Sequence, residues 1–350
     1  MPLKKIDYLP FLESCWQEHL QPKPDNAPTV ISTFAGCGGS SLGYSMAGFR
    51  ELLAIEWDDN AVETFKLNFP DVPVYHGDIA KISVEDVLKM TGLKVGELDI
   101  FDGSPPCQGF STAGKRQLDD PRNQLFREYV RLLRGLKPKV FVMENVSGMV
   151  KGVMKLVFVE ILKELKASGY KVSARLLNAM YFNVPQSRQR MIFIGVRDDL
   201  GIEPSHPEVE NVPVVTRDAL KGCSNVEDRK LPSVLIEYAP IHGGGWSTNM
   251  NKYKSVKGNT ASGISLKWAE WGDVCGTLPK QEISLTGVVH PDKQRYSNIF
   301  EAARLTSFPD KYSFTDRKNG WARIGNSVPP LFMRSIARHI RSEILNGAPI

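Results

Sequence analysis

The chain has few cysteines, and they are not grouped. The five, at positions 15, 37, 107, 223 and 275, form no Cys-x-x-Cys pair. An odd, scattered set argues against a disulfide framework or a thiolate zinc site and fits a reducing intracellular compartment. No metal site is expected. Long apolar runs are also missing: none approaches the roughly 18 residues that span a bilayer. The opening Met-Pro-Leu-Lys-Lys-Ile-Asp is too polar for a secretory signal. A soluble, cytoplasmic protein without a membrane partner is therefore expected. Nor does one sign of charge dominate, since 44 Lys and Arg face 39 Asp and Glu for a net charge of +5. That balance tolerates a nucleic-acid partner without requiring one, because a phosphate-binding face needs a local rather than a global excess. Internal repeats and low-complexity tracts are absent.

What is present is an alternation. Apolar runs of strand length stand at Val30–Phe34, Leu52–Glu56, Val72–Tyr75, Leu98–Phe101, Val140–Met143, Ala174–Leu177 and Met191–Val196. Segments of helical period separate most of them: Ala61–Phe69, Val84–Met90, Leu125–Leu136 and Val153–Ser168. This pattern predicts an α/β fold with a doubly wound, mainly parallel sheet. Residues 198–290 change texture. They are rich in Pro, Gly, Ser and Asn and read as a smaller, irregular domain. Helical period returns over Leu331–Leu345. The expected division is an extension (1–28), a main domain (29–197), the irregular domain (198–290) and a return segment (291–350) that completes the main one.

Four segments carry candidate chemistry. Phe34-Ala35-Gly36-Cys37-Gly38-Gly39-Ser40-Ser41 follows the first strand and opens a helix. Its glycines permit a tight turn and close approach of a ligand to the helix N-terminus. Glu56, about 20 residues on, ends the second strand, where an acid can accept from ribose hydroxyls. Ser41 occupies the third-glycine position of a dinucleotide fingerprint, which favours a cofactor without a pyrophosphate. Trp57 offers an aromatic face to an adenine, and Asp78 could accept from its exocyclic amine. A tight structural turn with a surface acid is the alternative.

The second segment, Gly103-Ser104-Pro105-Pro106-Cys107-Gln108, lies at the carboxyl end of the fourth strand, the edge where open α/β sheets bind ligands. Two prolines stiffen the backbone before Cys107. A core cysteine needs no such rigid polar setting, so Cys107 reads as a nucleophile, active as the thiolate. Glu144, in Met143-Glu144-Asn145-Val146, is either a solvated strand end or a functional carboxylate. Arg188 and Arg190, in Val184-Pro185-Gln186-Ser187-Arg188-Gln189-Arg190, share a side if the segment is extended. They suit a phosphate or carbonyl oxygen, or form a solvated surface pair.

Taken in order, Phe-Ala-Gly-x-Gly-Gly, Glu-Trp-Asp, Gly-Asp-Ile, Pro-Pro-Cys-Gln, Glu-Asn-Val, Gln-x-Arg-x-Arg and Gly-Asn-Ser-Val-Pro-Pro resemble the motifs of the cytosine-C5 DNA methyltransferases, in particular the bacterial modification enzymes. The resemblance covers about 34–197 and 295–340. It implies S-adenosyl-L-methionine as cofactor, held by Phe34, Gly36, Gly38, Glu56, Trp57, Asp78, Ile79, Pro106, Leu125, Asn326, Ser327 and Val328. It implies a cytosine flipped out of double-stranded DNA, Cys107 adding to C6, Glu144 at N3 and the amine, Arg190 at O2, and Arg188 positioning base or phosphate. Gln108, Ser111 and Arg122 would meet DNA, and 198–290 would be the target-recognition domain. A separately acting restriction endonuclease and a monomeric enzyme are further implications. The competing reading is a tRNA cytosine-C5 methyltransferase of the same fold; the Cys-Phe-Thr signature usual in that branch is absent near Cys223 and Cys275. Two positions depart from the family pattern: Ser32 stands where an acid is usual, and Asn183 where glycine is frequent.

Overall fold

A computed structural model describes residues 3–106, 124–150, 154–223, 230, 267–280, 288–292 and 295–346. Cys107, Gln108, Ser111 and Arg122 lie outside this set. Contacts divide the chain into two units. One comprises 17–178, 189–208 and 332–350; the other comprises 1–16, 179–188 and 209–331.

The first unit is built on a seven-stranded sheet. Its strands are β1 (Thr29–Thr33), β2 (Arg50–Glu56), β3 (Val74–His76), β4 (Ile100–Gly103), β5 (Val140–Val146), β6 (Tyr170–Asn178) and β8 (Gln189–Arg197). Their spatial order is β3-β2-β1-β4-β5-β8-β6. The five strands from β3 to β5 are parallel, while β8 runs antiparallel to both β5 and β6. The expected mainly parallel α/β sheet is thus present, with β8 as its one reversed strand. Between β1 and β4 the strand order reverses direction, and both chains leave the sheet at the same edge. A crevice for a ligand forms at such a point.

Alternation along the strands assigns the two faces. Ile31, Leu53, Ile55, Phe101, Phe141, Met143 and Phe193 form one core with α4 (Val84–Thr91), α5 (Gln124–Leu136) and α6 (Met154–Lys166). These helices contribute Val87, then Phe126, Tyr129, Val130 and Leu133, then Val157, Ile161 and Leu165. Strand neighbours of opposite parity face α2 (Gly39–Met46), as the hydrogen bond from Tyr44 to Asp102 demonstrates. Helix starts are capped by their own sequence. Asp58 accepts from Ala61 N ahead of α3 (Asp59–Asn68), and Ser83 with Asp86 forms a capping box for α4.

In the second unit, β7 (Gln186–Ser187) pairs with β10 (Cys275–Gly276), and β9 (Lys267–Trp268) with β11 (Val288–Val289). Helices α7 (Thr216–Leu220), α8 (Ile299–Leu305) and α9 (Arg317–Asn326) complete its regular structure, and α10 (Pro330–His339) follows α9. Buried charge organises part of this unit. Arg295 donates to both oxygens of Glu301 at 2.9 and 2.7 Å, and Arg304 donates to both of Asp310 at 2.6 Å. Such forked pairs satisfy a buried guanidinium with fixed geometry. Asn183 has φ of 64°, a left-handed conformation that glycine adopts freely and asparagine tolerates. That is why asparagine can stand at a position where glycine is frequent. Its amide donates to Glu210 at 2.7 Å.

Among the described residues no helix is long and apolar enough to cross a membrane, and no cluster of His, Cys, Asp and Glu could hold a metal ion.

Gly195 in β8 sits directly over the Phe141 ring: a Cβ there would lie 1.9 Å from a ring carbon. Because the ring is enclosed in the core, Gly195→Ala should destabilise the protein by about 1–3 kcal/mol through overpacking. Urea unfolding measures this, and an unchanged midpoint would show that the Phe141 ring can move aside.

Candidate active site

The glycine loop leaves β1 through two left-handed residues, Phe34 (φ 55°) and Gly36 (φ 57°), before Gly38 (φ 89°) caps α2. A positive φ at phenylalanine is uncommon and strained, and such strain concentrates at ligand-binding turns. Glu56 ends β2 at 8% exposure and ties this loop down. Its carboxylate accepts from Gly36 N at 2.8 Å, Trp57 N at 2.9 Å and Asp58 N at 3.0 Å. A carboxylate has about four acceptor positions, so three backbone bonds leave one for a ligand hydroxyl. Trp57 is 73% exposed, an unusual outlay of aromatic surface. Asp78 is exposed and accepts from Ala80 N at 3.0 Å. Ile79 beside it is buried, and Arg131 of α5 donates to the carbonyls of Ile79 and Ile82, steadying that wall.

These residues surround one cavity of about 320 Å³, lined by Phe34, Ile55, Glu56, Trp57, Gly77, Asp78, Ile79, Pro106 and Leu125. Seven of the twelve residues expected at the cofactor therefore line a single space. An acid with a spare acceptor, an open indole face and a second acid suit a nucleoside of that size. Gly36 and Gly38 shape the turn beside it. Asn326, Ser327 and Val328 end α9 and follow it in the other unit. A cavity of about 510 Å³ in that unit, lined by residues such as Phe300, Lys311, Tyr312 and Phe314, holds none of the expected residues.

The second half of the site lies at the carboxyl ends of β4 and β5. Gly103 has no room for a side chain: a Cβ would meet Thr33 Oγ1 at 2.3 Å and the Tyr129 ring at 2.7 Å. The strand can therefore press close before turning into Ser104-Pro105-Pro106. Asn145, 5% exposed, reaches across from β5 and donates to the Pro105 carbonyl at 3.1 Å. The chain leading to Cys107 is thus pinned from the neighbouring strand. Glu144 and Arg190 form an ion pair, Nε to Oε1 at 2.5 Å, with both side chains less than 15% exposed. Register explains the meeting. Val146 pairs with Arg190 and Glu144 with Ile192, so the two charges are diagonal neighbours on one face. A carboxylate held by a guanidinium at a strand end, beside a nucleophile loop, can orient a polar planar group.

Arg188 departs from expectation. It is 1% exposed, lies in the second unit, and donates to the carbonyls of Gly325 at 2.9 Å and Leu278 at 3.4 Å. A guanidinium committed to buried backbone oxygens does not present itself to a base or phosphate, so the expected base or phosphate contact is replaced by a brace on the segment before Asn326. Asn145, Gly103 and Asp102 are site residues that sequence reasoning passed over. Asn145 stood within the Glu-Asn-Val segment, and that was its only signal.

Asp102 and Glu51 form a buried acidic pair beneath the site. Burial pushes Asp102 up to about 8 and Glu51 to about 7. Tyr44 donates to Asp102 at 3.0 Å, and Ser41 to Glu51 at 3.0 Å. The serine in place of the third glycine therefore serves a buried acid.

The comparisons with known proteins bear on this geometry. A profile of C-5 cytosine-specific DNA methylases matches residues 28–342. The chain belongs to that family. It is 35% identical to the Type II methyltransferase M1.HphI of Haemophilus parahaemolyticus, over 89% of this chain and 86% of that protein. With M.NgoPII of Neisseria gonorrhoeae it shares 31% identity, over 93% and 99% of the two chains. A prophage-encoded DNA modification methyltransferase of E. coli superposes with a TM-score of 0.69 at 26% identity, over 91% of this chain and all of the other. The protein is accordingly a DNA cytosine-5-methyltransferase, and enzymes of this family take the methyl group from S-adenosylmethionine.

The buried acids make a pH prediction with a definite sign. Asp102 is protonated in the folded enzyme up to about pH 8 but ionises near 4 when unfolded. Its contribution is fully present below about pH 4 and is lost as pH rises toward 8. Half-buried His19 and buried His206, lowered to about 4, impose the opposite trend below pH 6.5, so only a difference isolates Asp102. Asp102→Asn should gain stability relative to wild type between pH 5 and pH 8 in urea unfolding. A constant difference would contradict the assignment.

Proposed function

We propose that this enzyme methylates C5 of a cytosine within a specific sequence of double-stranded DNA, after flipping that base out of the duplex. The observation that carries the reading is the coincidence at one sheet edge of a nucleoside-sized cavity, the Glu144–Arg190 pair and the pinned loop that leads to Cys107. Base flipping is required because stacking blocks C5 and C6. The Cys107 thiolate forms a bond to C6, and the electron pair of the C5–C6 bond moves to C5, making it nucleophilic. Glu144 holds N3 and the exocyclic amine, and Arg190 holds O2. Together they stabilise the charge that enters the ring as aromaticity is lost. S-adenosylmethionine supplies an electrophilic methyl group when bound. Loss of the C5 proton to a base then returns electrons to the ring, and Cys107 leaves as thiolate.

On this reading Glu56 takes the ribose hydroxyls, Trp57 stacks on the adenine and Asp78 accepts from its amine. Phe34, Ile79, Pro106 and Leu125 enclose them, the Gly36–Gly38 turn approaches closely, and Asn326, Ser327 and Val328 are the cofactor residues expected from the other unit. Arg188 supports that last segment as a brace. Gln108, Ser111 and Arg122 contact DNA over the flipped base. Residues 198–290 read the sequence, using basic and aromatic side chains such as Arg217, Lys252 and Trp246. The Type II names of its relatives support a partnership with a separately acting restriction endonuclease. One chain carries the nucleophile loop, the cavity and the clamp, which supports a monomeric enzyme.

Two measurements test the reading. Cys107→Ser should bind duplex DNA like wild type but lose at least about 1,000-fold in methyl transfer, because a hydroxyl does not ionise near neutral pH. Residual activity within tenfold of wild type would refute the nucleophile, and transfer to tRNA but not to DNA would refute the substrate. Trp57→Ala should weaken S-adenosylmethionine binding by roughly tenfold, since stacking on an aromatic face is worth about 1–3 kcal/mol. Unaltered calorimetric affinity would remove the cofactor from this cavity.

A further inference from the structure

Asp102 is the one acid in β4's described hydrogen-bonded run, Ile100–Gly103, and it faces α2 at 4% exposure. Packing alone does not call for a carboxyl there, because an apolar side chain would fill the space without the cost of burying a polar group. Its bonds show what it holds. Tyr44 donates its hydroxyl to Oδ1 at 3.0 Å, and the Ser40 hydroxyl also bonds the carboxyl. Ser40 and Tyr44 stand four residues apart, one above the other on α2. A single side chain therefore grips the helix that the glycine loop opens. The main chain of the same residue is gripped from β1, where the Thr33 hydroxyl donates to the Asp102 carbonyl at 3.0 Å. Across the β1–β4 ladder its partner is Ser32, the position where family members usually carry an acid. Just beyond it the strand passes through Gly103 to the Pro105 carbonyl that Asn145 holds.

We propose that Asp102 is a positioning residue that locks α2 and its glycine loop to the strand carrying the nucleophile loop, so that one side chain sets both the cofactor cavity and the approach to Cys107. The inference rests on the reading of the 320 Å³ cavity as the S-adenosylmethionine site. The titratable groups acting on Asp102 are Tyr44 on α2, Glu51 on β2, Glu144 on β5 and Tyr129 on α5. Burial, with the charges of Glu51 and Glu144, favours the neutral carboxyl, which ionises only near pH 8, while the hydrogen bonds from Tyr44 and Ser40 favour the charged form. Above that pH its negative charge lies within the field of Glu144, the residue that holds the base.

The test compares wild type with Asp102→Ala, Asp102→Asn and Tyr44→Phe. Cofactor affinity is measured by calorimetry, and kcat and KM for duplex DNA are measured from pH 6 to 9. Asp102→Ala should weaken cofactor binding by about tenfold and lower kcat by a similar factor. Asp102→Asn, which can still accept from Tyr44, should restore binding to within about threefold of wild type and flatten the fall in kcat above pH 8. Tyr44→Phe, which deletes one oxygen and keeps the ring, should weaken binding by about threefold or more. An Asp102→Ala enzyme with wild-type affinity and kcat would overturn the proposal, as would an asparagine variant no better than alanine. If the alanine variant does not fold, Tyr44→Phe decides, and wild-type affinity there overturns it. Cofactor binding that Trp57→Ala leaves unchanged overturns the cavity assignment and this inference together. Binding lost in Trp57→Ala but intact in Asp102→Ala overturns this inference alone.

Discussion

The alignment of β1, β4 and β5 in register is the constraint from which the site follows. Thr33 pairs with Gly103 and Gly103 with Met143, so three parallel strands end at nearly one level. Whatever leaves those ends is brought within a few side-chain lengths: the glycine loop, the Pro-Pro-Cys loop, and the Glu144–Asn145 pair. The register is enforced by side chains with no alternative place. Gly103 admits no Cβ against Thr33 and Tyr129, and Phe101 stacks on the Tyr129 ring at 4.9 Å between centroids. A slip by one residue would exchange the apolar face that packs on α4 to α6 for the face carrying Asp102.

Electrostatics then divides the labour across this edge. Glu56 is fixed by three backbone donors, which leaves one acceptor position for a ligand. Glu144 faces a single guanidinium at 2.5 Å, which balances its charge within a mostly buried setting. Asp102, buried and near Glu51 and Glu144, is held neutral instead.

Much of this was legible from residue order. The strand–helix alternation announced the sheet, and the cavity gathers Phe34, Glu56, Trp57, Asp78, Ile79, Pro106 and Leu125 from five separate segments, four of them following strand ends and the fifth, Leu125, at the start of a helix. Strand limits were less visible. The apolar run Ala174–Leu177 marks only the second half of Tyr170–Asn178, because an edge strand can expose one side and needs fewer apolar residues. The antiparallel direction of β8 has no local signal, since an apolar run reads alike both ways. Arg188 was misjudged for a related reason. Alternate spacing places two arginines on one side only while a single strand contains both, and the chain instead changes pairing between β7 and β8 at that residue. Asp102 was invisible because its role depends on Ser40 and Tyr44, about sixty residues earlier in the chain.

The central claim is a covalent bond between Cys107 and the target cytosine, and trapping that bond tests it most directly. Duplex DNA amplified with 5-fluorocytosine in place of cytosine, incubated with enzyme and S-adenosylmethionine, keeps a fluorine at C5 that cannot leave as a cation, so elimination of the thiolate is blocked. Peptide mapping by mass spectrometry should then find the nucleotide attached to the peptide containing Cys107, in amounts that depend on the cofactor. A stable adduct on another residue, or methylated ordinary DNA with no adduct on the fluorinated duplex, would contradict the account.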